Sequence, residues 1–250
     1  MSNKIYSVIL LLFIASTPIT VRAQTIKIGI FNFEPWGMKS RNAITGIVWQ
    51  QSLALFKETK LTLSANYSSY PRMIHQLKTG KVDCSLFIKN DENADKLNFI
   101  SHLYDLKVSV ISRKDIQIKQ YSDFYTNPKL DVIGFASGTG FMFPRLFNDL
   151  RLNLHIAPNQ QQGPMMIVRE RIDAFVGITK TMQYEIHRGK LADKLNFPGY
   201  PVTQLPVWLQ CSKKSAISDN DLLILKTSAE KLKLDGTLDA IIGQWIPASL

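Results

Sequence analysis

The stretch LKTGKVDCSLFIKN, residues 77–90, decides the fold. It reads as the last turn of a helix, a tight turn at Gly80 and then a buried strand. Residues 82–88 carry a short apolar run, as expected for a parallel strand covered on both faces. The helix feeding it, from about Arg72, places Met73, Ile74 and Leu77 at the spacing of one buried face. Helix, turn and strand make half of a right-handed crossover unit. The pattern recurs as MIVRERIDAFVGIT, residues 166–179, with Asp173 in the place of Asp83. Two such units predict two similar α/β lobes. Ligands of open α/β sheets bind outside the carboxyl ends of the strands. That places the candidate site at residues 87–90 of one lobe and 177–179 of the other, across a shared cleft.

Upstream, TIKIGI (residues 25–30) alternates β-branched residues as a first strand and runs into FNFEPWG (residues 31–37). Those three aromatic rings either cap the core or line a cleft, where flat faces offer apolar contact and stacking. A helix is predicted from about Gly46 to Glu58, a strand over 61–67, and a helix start at Ser68-Ser69-Tyr70-Pro71. Downstream, DENADK is a polar turn or short helix, and residues 106–112 form a strand. Arg113-Lys114-Asp115 is a polar exit and a candidate hinge.

After a short helix and turn over 121–127, a strand over 130–135 starts a second lobe. The small-residue loop ASGTG (residues 136–140) then precedes a helical-looking 141–150. Backbone amides there either hold a carboxylate or phosphate or form a plain turn. A strand over 152–156, a helix over 182–188 and an extended 194–197 follow. Pro198, Pro201 and Pro206 punctuate the return. Residues 207–211 enter Ser212-Lys213-Lys214, echoing Ile111-Ser112-Arg113-Lys114, as if two strands cross between the lobes in parallel roles. The last segment starts a helix near Ser218, with Asp221 three residues on, and closes with LDGTLDAIIGQW (residues 234–245), a glycine-broken pair of helices.

The composition, 45% hydrophobic and 20% charged over 250 residues, is that of a globular protein of one large or two small domains. Residues 1–23 read as a cleaved secretory signal. Lys4 gives the positive start, residues 5–15 the apolar core, and Val21-Arg22-Ala23 the cleavage site. The apolar core is about half of the ~20 residues a membrane-spanning helix needs. Lys4 and Arg22 are the only charges of that segment, so the formal +10 falls to +8 for a chain starting at Gln24. The basic residues are scattered, which argues against nucleic acid as a partner and leaves room for an anionic ligand. Cys84 and Cys211 sit among apolar neighbours. They suit small buried hydrophobes, and in an oxidising compartment a disulfide between them is the alternative. No cysteine or histidine pair has metal-ligand spacing, and no metal or cofactor is expected.

At this point the chain resembles the bacterial extracellular solute-binding proteins of family 3, the periplasmic components of polar amino-acid ABC importers. The resemblance rests on LKTGKVD (77–83), LNFISHLYDLKVSVISRKD (97–115) and LDGTLDAIIGQW (234–245), in this order and spacing. It implies an α/β, bilobed periplasmic-binding-protein fold of type II, with two mainly parallel sheets joined by two hinge strands. One lobe would hold residues 24–111 and 207–250, the other residues 112–206, with ligand closing them as a flytrap. It also implies a periplasmic monomer that presents a small molecule to an ABC permease or a sensor kinase.

The family's amino-acid clamp is altered. Its carboxylate-binding arginine falls at Asn93, and the threonine or serine before it falls at Ile88 or Asn90. The aspartate that binds the amino group falls at Ile178, and an acidic pair falls at Val48 and Gln50. Asparagine lacks the charged bidentate fork, and isoleucine cannot pair with an ammonium. The expected ligand is therefore not an ordinary α-amino acid. Candidate ligand-binding residues are Phe31, Phe33, Trp36, Tyr70, Arg72, Phe87, Lys89, Asn90, Asn93, Thr139, Phe141, Ile178 and Thr179. Arg72 or Lys89, turned inward, would favour an acidic or aromatic ligand. Two other classes stay open. One is an enzyme on the same fold, resembling the periplasmic cyclohexadienyl dehydratases, with Glu34 as acid–base group. The other is a degenerate sensory domain that binds a protein partner.

Overall fold

The computed structural model describes residues 24–41 and 43–247, so the expected export segment lies outside the described residues. Strand β1 (Thr25–Phe31) leads to a two-stranded antiparallel pair, β2 (Met38–Lys39) and β3 (Ile44–Thr45), then to helix α1 (Ile47–Leu55). Strand β4 (Thr62–Ser68), helix α2 (Tyr70–Thr79) and strand β5 (Cys84–Ile88) complete this half. The 17-residue β6 (Leu97–Arg113) carries the chain across. Then come α3 (Asp123–Thr126), β7 (Val132–Ala136), α4 (Pro144–Phe147), β8 (Asn153–Ala157), α5 (Gly163–Val168), β9 (Ala174–Ile178) and α6 (Thr179–Gly189). The 18-residue β10 (Leu195–Ser212) returns, and α7 (Asp219–Leu234) and α8 (Thr237–Trp245) close the first half.

The strands hydrogen-bond in the order β4-β1-β5-β10-β6-β9-β7-β8. Three parallel strands stand at each end, and β10 and β6 lie antiparallel to their neighbours between them. The two expected sheets are thus the two ends of one ladder, joined because the crossing strands pair with each other. The sequence predicts one crossing strand from Leu106 and the other as separate pieces around the prolines. Instead β6 starts nine residues earlier, at Leu97, and ends at the polar exit Arg113, while β10 runs through all three prolines. Pro198, Pro201 and Pro206 are tolerated because β10 has β6 on one side only until Val207, where β5 joins it. Proline lacks an N–H for the ladder and sits best at such an open edge.

Local signals explain the deciding stretch. Helix α2 starts after Ser69 with a proline in its first turn, buries Met73 and Leu77, and ends at Gly80 in the left-handed region (φ 77°). A Cβ on Gly80 would meet Lys214 Cβ at 2.8 Å, so both backbone angle and space favour glycine there. All five residues of β5 are buried. The Ser218 hydroxyl accepts from Asp221 N at 3.1 Å and caps α7, and Gly236 (φ 78°) separates α7 from α8. The helix expected over 141–150 is interrupted. A 3-10 turn at Gly140–Met142 and the short α4 replace it, since Pro144 cannot continue a helix begun before it. Cys84 and Cys211 face each other across β5 and β10 and are disulfide-bonded.

The main core runs without a break from Ile28 and Leu86 through Val108 to Phe135 and Val176. A smaller one under α5 and α6 gathers Ile167, Phe175, Met182 and Ile186. No helix among the described residues is long and apolar enough to cross a membrane.

Candidate functional site

A cavity of about 340 Å³ opens where the carboxyl ends of β1, β5, β7 and β9 face one another, with the middles of β6 and β10 as its floor. The strand ends deliver its walls. Phe31, Phe33 and Trp36 come from the turn after β1, and Phe87 and Ile88 from β5. Ala136 to Thr139 follow β7, Ile178 ends β9, and Tyr104, Leu106 and Val207 rise from the crossing strands. The rings fall into two groups, one around Tyr70 and one formed by Trp36 with Tyr104. Tyr70 meets Phe31 edge-on at 5.2 Å and Phe87 at 6.3 Å, and Trp36 stacks on Tyr104 at 6.3 Å.

Neutral groups supply the polarity. Several are already used by the protein. Gln160 Oε1 accepts from Ile178 N (3.1 Å), Thr139 donates to Ala136 O (2.7 Å), and Tyr104 donates to Gln51 Oε1 (2.9 Å). The side chains of Asn32 and Ser137 and the hydroxyl of Tyr70 have no hydrogen-bond partner among the described residues and remain for a ligand. Burial pushes the Tyr70 phenol up to about 12, so it stays a neutral donor. Burial likewise raises Tyr104, partly offset by its bond to Gln51. Among the described residues lining the cavity there is no Asp, Glu, Lys, Arg or His. A ligand charge desolvated there would find no counter-charge, which costs several kcal/mol.

Of the expected residues, Phe31, Phe33, Trp36, Tyr70, Phe87, Thr139, Phe141 and Ile178 stand on this lining, with Val48 and Ile88. Arg72, Lys89, Asn90, Asn93 and Thr179 do not. The Lys89 ammonium is held by Asp91 at 2.7 Å and lies over the Phe99 and Trp208 rings at 4.8 and 5.1 Å. Asn90 caps the short turn at 91–93 by accepting from Glu92 N (3.0 Å), and Asn93 is buried within that turn. Thr179 shares a hydrogen bond with Ser109 (2.9 Å), and Arg72 is exposed on α2. Gln50 is engaged by the Trp245 indole at 2.7 Å. Glu34 is also off the lining, and its carboxylate takes Arg188 Nη1 at 2.8 Å.

Residues that the sequence reading passed over include Asn32, Tyr104, Leu106, Asn159 and Val207. Tyr104 and Leu106 alternate along β6, a period-2 signal visible once the strand is started at Leu97. The two halves also touch directly. The Trp36 indole N–H donates to Thr181 Oγ1 at 2.8 Å, and Gln183 Nε2 donates to Pro247 O at 2.6 Å.

The family profile described as bacterial extracellular solute-binding proteins, family 3, matches residues 26–248. A search of curated proteins found no sequence match. Among solved structures, substrate-binding domain 2 of GlnP from Lactococcus lactis, in an open conformation, is similar with a TM-score of 0.69. Identity is 17%, over 92% of this chain and 99% of that one. An ancestral cationic amino acid solute-binding protein is similar with a TM-score of 0.71 and 20% identity, over 89% and 95%. A histidine kinase sensor domain with similarity to periplasmic binding proteins gives 0.71 and 16%, over 90% and 97%. At these identities the likenesses show the fold, a bilobed type II periplasmic binding protein.

Proposed function

The chain belongs to the bacterial extracellular solute-binding proteins of family 3, and on that premise we propose that it binds a small uncharged ligand with a flat apolar body. One observation carries the reading: no charged side chain stands among the described residues lining the cleft. The aromatic set from Phe31 to Tyr104 would hold the apolar body. Asn32, Ser137 and Tyr70 would meet neutral polar groups on the ligand. The anionic ligand that Arg72 and Lys89 would have favoured finds no cation on this lining.

The lobes we assign are residues 24–111 with 207–250, and residues 112–206, with Phe31, Phe33, Trp36, Tyr70 and Phe87 on one side of the ligand and Thr139, Phe141 and Ile178 on the other. Ligand stabilises the closed arrangement by its differential affinity for it, and the closed form is what a membrane partner reads. That partner is an ABC permease or a sensor kinase. The likenesses to a transporter's binding domain and to a kinase sensor domain support both. Residues 1–23 would direct the protein to the periplasm. Nothing about Glu34, paired with Arg188 away from the lining, favours the dehydratase reading.

Native mass spectrometry of protein purified from its periplasm tests the proposal. The expected result is a retained small molecule that is neutral at pH 7 and contains a ring. Retention of a free amino acid or a dicarboxylate would refute it.

A further inference from the structure

A second concavity, of about 450 Å³, lies between α5 and α6 and adjoins the cleft at Gln161, which lines both. Its charge is one-sided. Arg169, Arg171 and Arg188 stand on its lining against a single carboxylate, Glu185. One oxygen of that carboxylate, Oε2, is taken by Arg188 Nη2 at 2.6 Å and the other, Oε1, is buried without a partner among the described residues, while Arg188 Nη1 reaches Glu34 of the other half at 2.8 Å. Arg169 and Arg171 make no ion pair and no side-chain hydrogen bond among the described residues. Much of the remaining wall is apolar, with Met165, Met166 and Leu191. Single exposed arginines are ordinarily just solvated. Three converging on one concavity, two of them uncompensated and beside an apolar wall, form a site of positive potential shaped for more than a bare ion.

We propose that this concavity is a second ligand site, for a small organic monoanion. Arg169 and Arg171 would fork onto its carboxylate, and its hydrocarbon body would lie on Met165, Met166 and Leu191. Arg188 is the third donor, and it is also half of the ion pair between the lobes. An anion that recruits Arg188 competes with Glu34, so occupancy of this site weakens one of the contacts that hold the lobes together. Coupling of this kind is reciprocal: removing Glu34 as a competitor must strengthen anion binding.

Calorimetric titration of the purified full chain with sodium hexanoate, at ionic strength held constant with sodium chloride, tests both parts. Saturable binding is expected. In R169Q/R171Q it should weaken about tenfold or more, and R169K/R171K, which keeps the charge without the fork, should fall between. Glu34→Gln should tighten it about threefold or more, as a coupling of under 1 kcal/mol would. Asp193→Asn removes an exposed acid with no ion pair among the described residues and should leave the affinity within about twofold. Absence of saturable binding, or wild-type affinity in R169Q/R171Q with the fold intact by circular dichroism, would overturn the site. Equal effects of E34Q and D193N would overturn the competition for Arg188.

Discussion

Trp36 and Thr181, 145 positions apart in the chain, share a buried hydrogen bond between the turn after β1 and helix α6: indole N–H to threonine hydroxyl, 2.8 Å. In the proposed lobe assignment the bond exists only while the lobes are together, and with the acceptor gone the indole N–H is left dry. Leaving such a donor unsatisfied costs about 1–3 kcal/mol. Thr181→Val should therefore shift the protein toward a more open state, read as a larger radius of gyration by solution scattering. An unchanged scattering curve would show that this bond does not bias the lobes.

Ordinary α-amino acids should fail in the cleft. Their ammonium and carboxylate would be desolvated against a lining without charge, and losing each charge-assisted contact costs ~2–5 kcal/mol. Calorimetry against the twenty standard amino acids should show nothing tighter than about a millimolar, near −4 kcal/mol. A micromolar isotherm for any one of them would contradict the neutral cleft.

The Cys84–Cys211 cross-link closes a loop of 127 positions between β5 and β10. In the chain-entropy account a loop of this length stabilises by about 4–5 kcal/mol through the unfolded state. C84A/C211A should lower the thermal midpoint by several degrees in calorimetry, and reductant should do the same to the wild type alone. Equal midpoints in all three samples would count against the bond.

Asp149 accepts from Arg151 at 2.9 Å and from the Tyr121 and Tyr125 hydroxyls. The Arg151 guanidinium in particular holds its carboxyl far below the usual carboxylate range. Because the folded state depresses this group, its stabilising contribution is complete above the unfolded value of about 4 and is lost as the pH falls further. Asp149→Asn should destabilise the protein at pH 7, and the gap to wild type should narrow below about pH 4 in urea titrations. A gap independent of pH would assign the loss to packing instead.

The repeat that set the fold apart in the sequence also has a common structural task. Asp83 Oδ2 accepts from Lys27 N at the start of β1, and Asp173 Oδ2 accepts from Val132 N at the start of β7. Each carboxylate pins the first strand of its lobe to the turn before the third. Local patterns of this sort, with the turn at Gly80 and the aromatic run after β1, were readable because a few neighbouring residues carry them. The direction of Lys89 was not. Asp91, two residues on, pairs with its ammonium, but the Trp208 ring it lies over is 119 positions away and comes near only through the pairing of β5 with β10. Tyr104 and Val207 escaped for a related reason: they face the cleft from mid-strand, where no turn or helix end marks a site.

Scored by Pro198, Pro201 and Pro206, β10 is the weak ply of a two-ply laminate whose other ply, β6, contains no proline. In the proposed closure β10, open on one edge up to Pro206, would bend first, and β6, paired with β9 as well as β10 over residues 108–112, would be the axis of rotation. Points on an axis travel least. Tyr104 and Leu106, both on β6, would therefore keep their spacing while the strand-end walls swing, a fixed gauge against which the length of an incoming molecule would be measured.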